Sequence, residues 1–409
     1  MEQGLRNYLV VTGGYWAFTV TDGAIRMLVV LYFYMRGYSP FEVAMLFLFY
    51  EFFGIVTNLV GGWLGARIGL NLTMHIGMGL QVVALAMLTV PDTWLSVAYV
   101  MTAQAMSGIA KDLNKMSAKA SVKAIVADGS DTKLFKWVAI LTGSKNALKG
   151  AGFFAGAALL QWLTFRGALA VLAGLLLIVL IITVTLLPSG VGKMKSKPRF
   201  SQIFSKVPAI NWLSAARMFL FCSRDVWFVV ALPVFLYEKL GWSFTLVGSF
   251  LAIWVIGYGI VQASAPRLIK CSHHSSGPGG DTARMAAFVL MFFPAAIAIG
   301  LQQGLPANEV VIIGLILFGI VFAINSAVHS YLILAYSDND KVAMNVGFYY
   351  MANAGGRLAG TVLSGWVYQT QGLEGCLWVS SAFVLAAALI SFGLPPAKMH
   401  RENYTEQNV

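Results

Sequence analysis

Residues 7–33 read NYLVVTGGYWAFTVTDGAIRMLVVLYF, an apolar run that carries Asp22 and Arg26 in its interior. About 20 apolar residues cross a bilayer as a helix, and a charge at the bilayer centre costs about 2.5–3.5 kcal/mol on insertion scales. The run therefore reads as a transmembrane helix whose charges face water, ligand or protein rather than lipid. It lacks the short apolar core and small-residue cleavage site of a secretory signal, so it is expected to stay in the mature protein.

Outward from this stretch the pattern repeats. The 409-residue chain is 58% hydrophobic and only 11% charged, with mean hydropathy +0.74, which leaves too little polar surface for a soluble globule. Twelve apolar runs follow one another near 8–35, 39–66, 72–90, 93–121, 134–163, 167–188, 209–237, 243–265, 285–303, 309–335, 342–369 and 374–394. The expectation is an all-α integral membrane protein of twelve transmembrane helices. Residues 1–188 form an N-terminal six-helix half, 189–208 a basic linker, 209–394 a C-terminal six-helix half and 395–409 a tail.

Charge sets the orientation. Arg67, Lys123, Lys133, Lys193, Lys195, Lys197, Arg199, Lys206, Arg267, Lys270, Lys341, Lys398 and Arg401 fall on even-numbered connections and the tail, against Arg36, Arg166 and Lys239 on the others. Basic loops stay inside, so both termini are expected in the cytoplasm and the protein in the cell (inner) membrane, held by the lipid bilayer. The formal net charge of +11 is scattered through spans and short flanks instead of gathered on a soluble face, which argues against a nucleic-acid partner.

Seven cations lie inside the predicted spans: Arg26, Lys111, Lys145, Lys149, Arg217, Arg224 and Arg357. Facing lipid they would together cost roughly 20 kcal/mol, more than a typical domain's stability. The acids at comparable depth are Asp22, Glu51, Asp112 and Asp225, an excess of three cations that points to an anion pathway. Residues three or four apart share a helix face. Thr12, Tyr15, Thr19, Asp22 and Arg26 thus form one polar stripe; Gln104, Ser107, Lys111 and Lys115 another; Asn345, Tyr349, Asn353 and Arg357 a third. Each stripe is expected to face water.

Pairing within one helix allows Asp22 to bond Arg26, or leaves both for ligand. Arg224 and Asp225 are adjacent and not on one face, so Asp225 is expected to pair across helices. Lys145 and Lys149, one turn apart, repel unless an anion or acid lies between them. Lys149 and Arg357 lack a same-helix acid within one turn and are expected to contact substrate, with Lys145, Arg224, Arg26, Lys111, Arg217, Tyr349 and Asn353 around them. A guanidinium takes an oxyanion through two hydrogen bonds and lysines act as point charges. Asp22, Glu51, Asp225, Asp112 and His329 are the candidates for proton coupling or ion pairing.

The halves echo one another. Gly37-Tyr38-Ser39 matches Gly241-Trp242-Ser243, and Lys149, Gly152 and Gly167 match Arg357, Gly360 and Gly375 at one constant offset. Internal repeats of this kind mark transporter folds. The twelve spans, the central basic loop and these repeats are similar to the major facilitator architecture of two pseudo-symmetric six-helix bundles around a central cavity. In that architecture the third, sixth, ninth and twelfth helices lie outside the cavity, and those runs hold no interior charge here. Gly62-Trp63-Leu64-Gly65-Ala66-Arg67-Ile68-Gly69 resembles the loop signature of that superfamily, with Ala66 at its acidic position.

Longer stretches resemble the ArsJ organoarsenical efflux permease family: Asn7 to Phe33, Gly37 to Gly69, SGIAKDLNKMSAK from Ser107, LTGSKNALKG from Leu141 and SAARMFLFCSRDVWFVVALPVF from Ser214. The resemblance implies export of 1-arseno-3-phosphoglycerate, which a glyceraldehyde-3-phosphate dehydrogenase partner makes from arsenate, and hence arsenate resistance. Such a substrate is a small anion with two tetrahedral oxyanion ends, and two cationic clusters, one per half, suit it. Trivalent arsenite prefers soft thiolates, and Cys222, Cys271 and Cys376 form no such cluster in sequence. A transporter of another phosphorylated organic anion or of phosphate, and a membrane anion receptor that does not transport, remain alternatives. No nucleotide-binding lysine motif, HExxH or GxSxG occurs, so neither cofactor nor catalysis is expected.

Overall fold

The computed structural model describes residues 2–38, 46–125, 131–188, 190–191, 193, 205–269, 277–338 and 341–396. Most of the basic linker, Cys271, His273 and His274, and the tail from residue 397 lie outside the described residues.

In a bilayer the backbone has no water to bond, so a spanning segment satisfies its amides within a helix. The chain accordingly forms α1 (Glu2–Met35), α2 (Leu48–Ile68), α3 (Leu70–Met87), α4 (Val97–Ile125), α5 (Asp131–Trp162), α6 (Phe165–Leu186), α7 (Pro208–Phe228), α8 (Ala231–Glu238), α9 (Phe244–Leu268), α10 (Gly280–Leu290), α11 (Phe292–Gln302), α12 (Ala307–Ala335) and α13 (Val342–Ile390). Each of the twelve predicted runs falls on this helical framework. α7 with α8 makes the seventh span and α10 with α11 the ninth. α13 holds the last two, which turn at Gly372 with φ +69°, a conformation open to glycine and strained for other residues.

Among the described residues, eight helical stretches are long and apolar enough to cross a membrane. α2, α4 and α5 fall outside that set, and they hold Glu51, Lys111, Asp112, Lys115, Lys145 and Lys149. In the first unit the helices least suited to lipid by composition therefore carry most of the interior charge. The sixth span is the converse: Leu175, Ile178, Ile181, Ile182 and Val184 on α6 are exposed, as befits a helix facing acyl chains.

Helix ends are set locally. Thr164 caps α6 by accepting from Gly167 N at 3.1 Å, and Ser243 caps α9 by accepting from Leu246 N at 3.2 Å. Pro208 opens α7 at a position where its missing N–H costs nothing. The matched glycines of the repeat, Gly37 (φ +90°) and Gly241 (φ +69°), share the left-handed turn.

Two compact units result. One comprises Met1–Asp128, Ser144–Phe204 and Ser337–Met351; the other comprises Gly129–Gly143, Ser205–Tyr336 and Ala352–Val409. In the first unit α4 lies at the centre, touched by α1, α2 and α3, and is buried almost continuously from Ala103 to Val122. The first turns of α13 join this unit: Gly62 and Gly347 approach so closely that a Cβ on Gly347 would lie 2.7 Å from Gly62 Cα. In the second unit α12 is central, packed by α9, α10 and α11. There Trp227, Trp254, Phe318 and Phe322 form an aromatic core with edge and stacked contacts of 5.2–6.0 Å.

Candidate functional site: buried charge networks

In the first unit, small residues let α1 and α5 meet. A Cβ on Gly152 would lie 2.6 Å from Val20 O, and one on Gly23 would lie 2.5 Å from Lys149 O. The crossing carries Asp22 against Lys149, Oδ2 to Nζ 3.1 Å, with Asp22 only 2% exposed. Tyr50 Oη donates to the other Asp22 oxygen at 2.5 Å. Tyr50 is fixed in turn because Gly108 of α4 sits directly against its backbone. Its ring lies under Lys111 Nζ at 3.8 Å, under Arg26 at 5.5 Å and near Lys149 at 5.9 Å.

A second set of charges surrounds this pair. Glu51 lies 3.7 Å from both Arg26 and Lys111. Asp112 bonds Lys115 at 2.6 Å and lies 3.8 Å from Lys111. Lys145 is half-buried one turn before Lys149. Setting aside the span ends, which hold Glu2, Arg6, Arg67, Lys123 and Arg166, the described spans of this unit carry six cations, counting Lys119, and three carboxylates. Desolvation makes such an excess costly unless an anion shares the site.

The second unit repeats the device. A Cβ on Gly360 would lie 2.8 Å from Cys222 O and 2.9 Å from Asp225 Cβ, and Gly356 abuts Met218 O. This contact of α13 with α7 brings Arg357 Nε to 3.1 Å from Asp225 Oδ2. Arg224 bonds the other Asp225 oxygen, Nη2 to Oδ1 2.5 Å, and lies over the Phe221 ring at 4.9 Å. Arg217, 3% exposed, donates to Asn353 Oδ1 at 3.0 Å and Ser326 Oγ at 3.0 Å, and packs on Phe221 at 3.9 Å. His329 is buried on α12, and its Nδ1 has no hydrogen-bond partner among the described residues.

These contacts correct several readings of the sequence. Asp22 bonds Lys149 and Tyr50 rather than Arg26, which turns to Glu51. Arg224 does reach its neighbour Asp225, because the long guanidinium stem wraps back where the helix face alone would separate them. The acid opposite Lys149 and Arg357 comes in both cases from another helix. Most of the three polar stripes is buried in protein, Tyr15, Thr19, Gln104, Ser107, Tyr349 and Asn353 among them, whereas Arg26 and Arg357 at their ends keep 29% and 28% of their side chains exposed. Asn345 and Tyr349 belong to the first unit, Asn353 and Arg357 to the second. Tyr50 was not among the residues singled out from sequence. A phenol beside Glu51 in an apolar run is the signal that marks it, since a buried Tyr hydroxyl seeks a partner.

At the loop ends of the first unit Asp92 draws together the connections that carry Arg36 and Arg166. Arg166 lies 3.0 Å and Arg36 3.4 Å from its carboxylate. Tyr32, stacked on Phe165 at 4.0 Å, donates its hydroxyl, and together with Arg166 it holds the Asp92 carboxyl below the usual carboxylate range. Both basic residues that sequence places on these connections in the N-terminal half thereby share this one carboxylate.

Residues 11–272 and 213–408 match the Major Facilitator Superfamily. None of the curated proteins matches the chain. The structure is similar to that of the human organic anion transporter MFSD10 (TETRAN), with TM-score 0.75 and 17% identity over 95% of this chain and 99% of that one. It is similar to a bacterial homologue of the iron transporter ferroportin in its outward-facing state, with TM-score 0.73 and 16% identity over 94% and 98%. The proton:xylose symporter XylE bound to 6-bromo-6-deoxy-D-glucose gives TM-score 0.74 and 13% identity over 96% and 95%. At these identities the likeness concerns the fold.

Proposed function

The chain belongs to the major facilitator superfamily of membrane transporters, and from that premise we propose that it exports a small organic anion, the organoarsenical 1-arseno-3-phosphoglycerate. The observation that carries this reading is the excess of cations over carboxylates in the span interiors of each unit, six against three in one and Arg217, Arg224 and Arg357 against Asp225 in the other. Neutral cargo needs no such excess. The particular arsenical rests on the sequence resemblance described above.

An oxyanion that reaches Lys149 competes with the Asp22 carboxylate, and one that reaches Arg357 competes with Asp225. The carboxylates keep each cation solvated by charge while no substrate is bound, so binding is an exchange of one anion for another rather than the creation of an unpaired charge. Alternating access then exposes the binding residues first to the cytoplasm, where we place both termini, and then to the outside of the inner membrane. For a dianion leaving a cell negative inside, the potential supplies about 4.6 kcal/mol per 100 mV, roughly a thousandfold concentration ratio. Uniport suffices; proton antiport through Asp22, Glu51 or Asp225 is the competing scheme. The same cations suit another phosphorylated organic anion, which is the second reading.

The test is arsenic retention in arsenate-loaded cells that express the protein with and without glyceraldehyde-3-phosphate dehydrogenase. Loss of cellular arsenic only when both are present supports the proposal. Unchanged retention with the protein in the membrane refutes the arsenical and leaves exchange of labelled phosphate to test the second reading.

A further inference from the structure

In the second unit α7 and α12 enclose a polar node. The rings of Phe221 and Phe322 meet at 5.2 Å, and Arg217 Nη1 donates to Ser326 Oγ at 3.0 Å and to Ser326 O at 3.3 Å. These contacts fix an antiparallel register between the two helices, in which Ser214 and His329 stand opposite each other one turn further along. Two more helices complete the frame. Asn353 of α13 accepts from Arg217 Nε at 3.0 Å, and Gln262 of α9 donates to Ser326 Oγ at 3.1 Å.

Within this frame Ser214 Oγ, His329 Nδ1 and both the oxygen and the nitrogen of the Asn325 amide are buried with no hydrogen-bond partner among the described residues. Ser214, Asn325 and His329 are 2%, 0% and 1% exposed. Asn325 adjoins Ser326 and lies one turn from His329 on α12, so the unmet atoms fall on three side chains around one guanidinium. Buried groups of this kind call for water or a polar ligand. The Phe221 ring, 3.9 Å from Arg217 and 4.9 Å from Arg224, places the node beside the Asp225 network.

We infer that Ser214, Asn325 and His329, with Arg217, form a subsite for a hydroxylated organic acid, whose oxyanion is drawn to Arg217 and whose hydroxyl bonds the α12 side chains. The balance of donors and acceptors selects this class. Asn325 Oδ1 only accepts and Asn325 Nδ2 only donates. A ligand built of acceptors alone serves the guanidinium and the amide nitrogen and leaves the amide oxygen unmet. One that carries a hydroxyl beside its oxyanion serves both. A site that hydrogen-bonds a hydroxyl rejects the analogue lacking it, because its own buried groups are then stranded. The ligand class rests on the small-organic-anion reading above and not on the arsenical.

Lactate and propionate, which differ by one hydroxyl, are the probes. Thermal unfolding of the purified full chain in detergent is followed at increasing concentrations of each sodium salt, with ionic strength matched in chloride. Wild type, Asn325→Leu, Ser214→Ala and Lys149→Gln are compared. The wild-type midpoint should rise with lactate, at an apparent affinity about tenfold tighter than for propionate. Asn325→Leu should lose that preference, and Ser214→Ala should weaken lactate binding a few-fold. Lys149→Gln, which should stop transport, should keep the preference, so a failed arsenic-retention assay leaves this result readable. No rise with either salt would make the node a water site and overturn the inference. Equal responses of wild type to the two salts would overturn it too, as would an unchanged lactate response in Asn325→Leu or, should that variant not fold, in Ser214→Ala.

Discussion

Replacing Asp22 by Asn tests whether the α1–α5 crossing is held by its ion pair. At 3.1 Å the attraction between Asp22 and Lys149 is about 5 kcal/mol at an effective dielectric of about 20, opposed by the desolvation of both groups. Removing one partner strands the other charge, and breaking a buried pair from one side costs about 3–5 kcal/mol. Lys149 keeps 17% of its side chain exposed, which places the expectation near 3 kcal/mol. Asp22→Asn also replaces the acceptor that Tyr50 Oη bonds at 2.5 Å. Lys149→Gln should cost a similar amount. The double variant Asp22→Asn/Lys149→Gln, with no stranded charge, should recover at least half of the summed loss. Thermal unfolding in detergent, followed by tryptophan fluorescence, gives the cycle. Additive losses, or a silent Asp22→Asn, would refute the argument that these two charges act as a unit.

In the second unit, Gly360→Val should cost about 1–3 kcal/mol of stability by overpacking, read as a lower unfolding midpoint, since its Cβ would meet Cys222 O at 2.8 Å. Gly355→Val, with nothing within 4 Å of its Cβ, should be nearly silent in the same assay. The Asp92 contacts predict a pH dependence. Its folded value is depressed by the Tyr32 hydroxyl and by Arg166, so its contribution is complete above about pH 4, the ordinary range for Asp, and is lost as pH falls through the lower folded value. Unfolding midpoints of wild type should therefore drop more steeply below pH 4 than those of Asp92→Asn; parallel curves would dismiss the clasp.

Span number and the placement of charge were legible in the sequence because lipid imposes them. A run such as 7–33 must be a helix, and an interior Lys149 or Arg357 must find protein, water or ligand. The matched Lys149/Gly152 and Arg357/Gly360 also carried structural information that sequence did not interpret. A glycine three residues after the cation lets a neighbouring helix approach and deliver its carboxylate. Which carboxylate arrives was hidden, because the i,i+4 rule sees one helix only. It suggested Arg26 for Asp22, whereas the partner is 127 residues away on α5. Lys119 was overlooked for a different reason. Near a span end it reads as an ordinary interfacial lysine, and its burial beneath Tyr350 depends on turns of α13 that lie more than 200 residues later in the chain.

The most direct test of the anion-export account compares Lys149→Gln and Arg357→Gln with wild type in arsenate-loaded cells that also express the dehydrogenase, at matched amounts of folded protein in the membrane. The account predicts that wild type depletes cellular arsenic and that each variant fails to do so. Depletion at the wild-type rate by both variants would contradict it.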